Sequence, residues 1–208
     1  MPIFETWNAL MLRLREIDFL APLALRLYLV PVFFAAGRNK LMGFENTVEW
    51  FGNPDWGLGL PAPFLMALMA TATELVGALC LLLGVAVRFV VLPLMFVMLV
   101  AAATVHGENG WFAIADPAMC LFHCDGLEEA ATRLERARAI LREHGNYEWL
   151  TGSGSFVVLN NGIEFVATYF LMLLVLLFQG AGRFVSVDYW VGRDLARRMG
   201  EGEAPVAR

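Results

Sequence analysis

Four stretches of this chain, residues 19–37, 63–87, 89–105 and 162–182, are each 17 to 25 residues long and almost free of charge. An α-helix rises about 1.5 Å per residue, so ~20 apolar residues cross the ~30 Å hydrocarbon layer of a bilayer. Inside that layer every backbone N–H and C=O must find a protein partner, which a helix supplies within its own segment. The expected fold is therefore an all-α membrane protein, a bundle of four transmembrane helices. Only Arg88 separates the second stretch from the third, which forces a tight antiparallel hairpin. Composition agrees, with 59% hydrophobic and 17% charged residues and a mean hydropathy of +0.61, more apolar surface than a soluble core hides. The apolar runs are spread along the chain without a linker, so a single domain over residues 1–208 is expected.

The same numbers exclude several functions. A net charge of -5 with no basic run cannot replace counterions along phosphates, which removes nucleic acid as a partner. Three cysteines are too few and too unevenly placed for a disulfide framework. No phosphate-binding loop, dinucleotide fingerprint, nucleophile elbow or pair of haem-ligating histidines is present, so no catalytic residue is assigned and the balance lies against an enzyme. The first apolar run contains Arg26, follows the acids Glu5, Glu16 and Asp18, and lacks a small-residue cleavage site. It reads as a span rather than a cleaved signal, with the mature chain starting at or near Met1.

Ahead of that span, Ile3, Phe4, Trp7, Leu10, Met11, Leu14 and Ile17 recur at helical spacing opposite Glu5, Asn8, Arg13, Arg15 and Glu16. This is an amphipathic helix, expected in the headgroup plane or packed on the bundle. Positive charge near span ends then orients the whole chain. Arg13, Arg15, Arg88, Arg183, Arg193, Arg197 and Arg198 fall on one side, and only Arg38 and Lys40 on the other, which puts both termini in the cytoplasm of a bacterial inner membrane. On the outer side, residues 38–62 form an aromatic loop broken by Pro and Gly, with Trp50, Phe51 and Trp56 as interfacial anchors. Residues 106–161 form an extramembrane insert with one helix over 127–144, capped by Asp125 with Glu128, braced by Glu129 and Arg133, stopped at Gly145, and expected to lie over the bundle mouth.

Charges inside a span cost ~2.5–3.5 kcal/mol each on insertion scales, so each implies a partner or a wet cavity. Arg26 lies 11 residues before Gly37 and Glu74 lies 11 residues after Pro63, which puts both at one depth and predicts that they pair. A second group, Lys40, His106 and Glu164, stands within about a turn of the outer span ends and is expected to converge above that pair as the entrance to a polar pocket. Arg26, Lys40, Glu74, His106 and Glu164 are thus the candidate ligand-binding residues, set against the plainer readings of a register-fixing ion pair and a solvated helix rim. Met119, Cys120, His123 and Cys124 are soft donors suited to copper(I) or zinc. With no second half to the motif, a disulfide or free thiols at Cys120 and Cys124 fit as well as a metal held by Cys120, His123 and Cys124 does. Met66, Met69, Met95 and Met98 read more simply as gap-fillers than as a copper path.

Taken in order, Leu25 and Arg26 in the first span, the run from Gly37 through Lys40 to Phe44, Glu74 to Gly77 with Leu81 to Gly84 and Arg88, Thr104 to His106 with Asn109 and Gly110, and Gly180 to Asp188 resemble the DoxX family of small four-helix bacterial membrane proteins. The aromatic loop from Glu49 to Leu60 and the long insert containing His144 to Trp149 are similar to the branch called HvfX, encoded beside enzymes that modify copper-binding peptides. The resemblance implies an inner-membrane accessory protein of a metal- or oxidative-stress system, partnered by the lipid bilayer and by a peptide-modifying or redox protein. Other relatives accompany quinone-linked or thiol-redox systems, which makes a redox membrane subunit the alternative and a pure scaffold the third reading. Copper and quinone are both compatible with these readings, and the residues specify neither.

Overall fold

Periodic small residues decide how the first two spans meet. The computed structural model describes residues 2–116, 118–124 and 126–200, without the side chains of residues 2, 3, 5, 9 and 128. After α1 (Pro2–Glu16), helix α2 (Leu20–Met42) buries Pro22, Arg26, Leu29, Phe33 and Gly37, one residue in every three or four. Beyond α3 (Phe44–Gly52), helix α4 (Pro63–Leu83) buries Ala67, Thr71, Glu74, Gly77, Ala78 and Leu81. These stripes pack antiparallel and close: a Cβ on Gly37 would fall 2.8 Å from Leu75 Cγ and 3.1 Å from Glu74 Cβ. Gly77 opens the next contact, since a Cβ there would fall 2.8 Å from a methyl of Leu94 on α5 (Val87–Ala101). Close backbone approach through small residues is what holds apolar helices together when lipid competes for every aliphatic contact.

Among the described residues three helices are long and apolar enough to cross a membrane: Leu20–Met42, Pro63–Leu83 and Val87–Asn109, the last including a π-helical turn at Ala102–His106 and a 3-10 turn at Gly107–Asn109. The fourth apolar stretch is shorter than its hydropathy implies. Helix α8 (Glu164–Gln179) has 16 residues, about 24 Å of rise, because Gly180 and Gly182 turn the backbone to φ +78° and +85°. Residues 38–62 hold more helix than expected: α2 runs on to Met42, and α3 follows at once. Breaking residues act only from Gly52 onward, where the Leu58 and Leu60 N–H groups return to the carbonyls of Trp50 and Phe51 at 2.9 and 2.7 Å.

The chain forms two compact units, one of Met1–Val97 with Phe170–Arg208 and one of Met98–Tyr169. The second holds α6 (Leu127–His144) and α7 (Tyr147–Leu150), with one isolated antiparallel bridge between Ile114 and Leu159. Helix α6 has the bounds its charge pattern predicts. Glu129 and Arg133 pair at 2.6 Å, and the Gly145 N–H closes the last turn on the Leu141 carbonyl. Asp125 and the Glu128 side chain, expected as its cap, lie outside the described residues, and Gly126 occupies the N-cap position. The last helix, α9 (Val187–Arg198), starts at Ser186, whose Oγ accepts from the Tyr189 N–H.

Candidate functional site

Glu74 is buried in the middle of α4, and its partner is Lys40 in the last turn of α2. The Lys40 Nζ lies 2.8 Å from each carboxylate oxygen, with 25% of the Lys40 side chain exposed against 3% of the Glu74 side chain. One end of this pair is therefore enclosed and the other is partly exposed. Thr71, one turn before Glu74, turns its hydroxyl back to the Ala67 carbonyl at 2.7 Å and offers the carboxylate no bond.

Arg26 does not meet Glu74, contrary to the equal-depth argument. Its buried guanidinium donates to four carbonyls: Nε to Leu81 at 2.7 Å, Nη2 to Leu82 at 3.1 Å, and Nη1 to Ala181 at 2.7 Å and Val185 at 3.0 Å. Two of these are orphan carbonyls in the final turn of α4, where the helix dipole places partial negative charge. Gly84 makes the approach feasible. It sits at φ +67°, and a Cβ there would fall 2.8 Å from Arg26 Nη2 and 2.6 Å from Ser186 Cβ. Asp188 completes the same end by accepting from the N–H groups of Ala86 and Val87 at the start of α5, at 2.6 and 2.9 Å. Arg183 ties on the C-terminal end of α1 through Asp18 at 2.6 Å and the Arg15 carbonyl at 2.8 Å.

The reason for the re-pairing is the slant of side chains on a helix. Each Cα–Cβ bond tilts toward its helix N-terminus. On antiparallel α2 and α4, Lys40 and Glu74 tilt toward each other, whereas Arg26 and Glu74 tilt apart. The extension of α2 past Gly37 to Met42 also sinks Arg26 farther from that end than its distance to Gly37 implies. Gly84, Ser186 and Asp188 complete a site that residue chemistry alone did not reveal, because its acceptors are backbone atoms from two segments distant in the chain from Arg26 and from each other. The signal available was the glycines shortly before each arginine, Gly84 before Arg88 and Gly180 with Gly182 before Arg183.

In the second unit His106 and Glu164 are both engaged locally. The His106 Nδ1 lies 2.8 Å from the Asn161 carbonyl, and a Glu164 carboxylate oxygen accepts from the Ala113 N–H at 3.0 Å. Asn160 donates to the Asn109 and Phe112 carbonyls, and Gly162 packs so tightly that a Cβ would fall 2.5 Å from the Phe112 carbonyl oxygen. This knot holds the ends of the 106–161 segment together. Cys120 and Cys124 form a disulfide with Cα atoms 5.9 Å apart, so the copper(I) or zinc set of Cys120, His123 and Cys124 requires the reduced pair. Among the described residues no group of three or more His, Cys, Asp or Glu side chains is arranged to hold a metal.

Residues 21–107 match the family model described as DoxX. The chain is 32% identical over 108 residues to the inner membrane protein YphA of Escherichia coli (strain K12), covering 50% of this chain and 73% of YphA. It belongs to the DoxX family. The putative oxidoreductase CatD of Bacillus subtilis (strain 168) is 37% identical over 68 residues, 33% of this chain and 46% of CatD. No solved structure matches the chain. The DoxX region takes in Arg26, Lys40, Glu74 and His106, while the disulfide, α6 and Glu164 fall outside it. With several apolar helices and an inner-membrane relative, this DoxX chain is a membrane protein whose solvent is the bilayer.

Proposed function

We propose that this DoxX-family protein is a four-span inner-membrane accessory protein that binds a small ligand or a peptide segment through an outward-facing polar site containing Lys40 and Glu74. The observation that carries the reading is a buried carboxylate whose counter-charge remains a quarter exposed. A buried ion pair is poor stabilisation, since apolar replacements of similar volume are often neutral or better. A pair kept in an apolar span is worth more as an exchangeable site: an anionic group entering from solvent competes for Lys40, and a cationic one for Glu74. Arg26, satisfied by four carbonyls, serves the fold at the other end.

The HvfX-like aromatic loop and insert support a setting in metal or oxidative stress, beside a system that modifies copper-binding peptides. The test is complementation of a deletion strain. The variants Lys40→Met and Glu74→Gln are to be compared at matched membrane abundance under copper and under peroxide. Loss of protection at normal abundance supports the site; full protection by both variants overturns it.

A redox membrane subunit is the second reading, favoured by the similarity to a protein named a putative oxidoreductase. There the Lys40 and Glu74 site receives a quinone headgroup, whose carbonyl oxygens accept from the ammonium. Quinone-dependent oxidation of a thiol or thiosulfate by the purified protein tests it, and absence of turnover with either donor counts against it.

A further inference from the structure

We infer that the Cys120–Cys124 disulfide is a thiol-exchange site for an incoming dithiol, rather than a staple of the fold. This deepens the redox reading and rests on it. Four observations carry it.

The bridge closes a loop of only three intervening residues, where the entropy a crosslink removes from the unfolded chain is smallest. Both cysteines and the residues between them are exposed, so the sulfur bond is on a surface that another thiol can reach. The loop is also held without it. Phe122 and His123 lay their carbonyls against Gly110, where a Cβ would fall 2.5 Å from the Phe122 oxygen, and the rings of Trp111 and Phe122 meet edge-on at 6.3 Å. On one flank the Asp116 side chain accepts from the Ala118 N–H at 2.9 Å, and on the other the Leu127 N–H at the start of α6 donates to the Cys124 carbonyl at 3.0 Å. A segment fixed by its own backbone can open and close one bond between side chains without losing its place.

The step balances as ordinary thiol–disulfide exchange. A thiolate of the incoming dithiol attacks Sγ of one cysteine, the Sγ–Sγ bond breaks, and the other cysteine leaves as a thiolate that takes a proton from water. The second thiol of the donor then attacks the mixed disulfide as its thiolate, having given a proton to water, and releases the first cysteine. The donor is oxidised to its disulfide, and Cys120 and Cys124 are reduced by two electrons.

The experiment uses the full-length protein in lipid nanodiscs with Cys80→Ala, so that only this pair reports. Dithiothreitol is the probe dithiol, free thiols are counted by a maleimide-polymer gel shift, and helix content and tryptic cleavage of 106–161 are followed in parallel. The expected result is two thiols released by millimolar dithiothreitol with helix content and cleavage unchanged, and reformation of the bond with oxidised dithiothreitol. In Cys124→Ser, Cys120 is expected to take up glutathione from its disulfide as a mixed disulfide. A bond that opens only in denaturant, or whose opening exposes 106–161 to trypsin, overturns the inference. Quinone-linked turnover that survives in Cys120→Ser/Cys124→Ser also overturns it, while leaving the redox reading itself standing.

Discussion

The Lys40 ammonium stands 2.8 Å from both carboxylate oxygens of Glu74, on antiparallel helices whose side chains slant toward each other. The arrangement is asymmetric, because the Lys40 side chain is partly exposed and that of Glu74 is enclosed. Removing the two partners should therefore have unequal effects. Lys40→Met strands a buried carboxylate and is expected to cost toward the lower end of ~3–5 kcal/mol, given the partial exposure of the lysine. Glu74→Gln leaves an ammonium free to extend to water and should cost about 1 kcal/mol. The double variant should be more stable than Lys40→Met alone. Thermal unfolding in detergent of the four members of this cycle measures it, and equal single losses that simply add would contradict the pairing.

Arg26 should be energetically independent of Glu74, because it is spent on the carbonyls of Leu81, Leu82, Ala181 and Val185. Arg26→Lys is expected to lose more than 1 kcal/mol, since a single ammonium cannot reproduce the planar fork that reaches α4 and the 181–185 turn together. Combined with Glu74→Gln, its effect should add within ~0.5 kcal/mol. A coupling well above that would restore the pairing that equal depth implies and the structure does not make.

The three long apolar helices were legible because hydropathy over twenty residues is a coarse quantity that neighbours cannot disguise, whereas the fourth stretch forms a shorter helix than its hydropathy implies. Helix α6 was legible as well, its bounds written in the spacing of Glu129 and Arg133 and in Gly145. Arg26 and Glu74 were correctly expected to be buried charges needing partners, but which partners depended on side-chain slant and on α2 ending at Met42, neither of which a residue count contains. The Arg26 cradle was illegible for another reason. Every residue has a carbonyl, so nothing in the identities of Leu81 or Ala181 marks them as acceptors. His106 and Glu164 carry chemistry in principle, and the local backbone takes up both.

Gly84 should tolerate no side chain. Its φ of +67° disfavours any L-residue, and a Cβ would meet both Ser186 and Arg26. Gly84→Ala is expected to cost more than the ~1–3 kcal/mol of backbone strain alone, with reduced membrane abundance. Gly126 is the control: it has φ -87°, and nothing lies within 4 Å of a built Cβ. Gly126→Ala should change stability by less than ~1 kcal/mol, the stiffer unfolded chain being offset by a poorer N-cap residue. Thermal unfolding of the two variants side by side checks the contrast, and similar losses would mean that the turn after α4 yields more readily than its contacts imply.

Topology is the remaining prediction, and α8 is the element on which it turns. The arginine-rich end contains Arg15 and Arg183, bridged through Asp18 and the Arg15 carbonyl, together with Arg88, Arg193, Arg197 and Arg198. At the other end Lys40 is consumed by Glu74, so Arg38 is the one near-span cation there without that engagement. Positive charge thus predicts that the arginine-rich end faces the cytoplasm, and the Cys120–Cys124 disulfide agrees with a prediction that 106–161 lies on the oxidising side. Both require α8 to return the chain across the membrane with 16 helical residues, about 24 Å, against the ~30 Å of a hydrocarbon core. The shortfall is small enough for local thinning of the bilayer to absorb. In a background with Cys80, Cys120 and Cys124 replaced by serine, Ala139→Cys on α6 should react with an impermeant maleimide on spheroplasts. Met199→Cys, beyond α9, should react only after the membrane is opened. Labelling in the reverse order would invert the orientation. Labelling of both sites from outside would mean that α8 does not cross, and that the chain has three spans with its two ends on opposite sides.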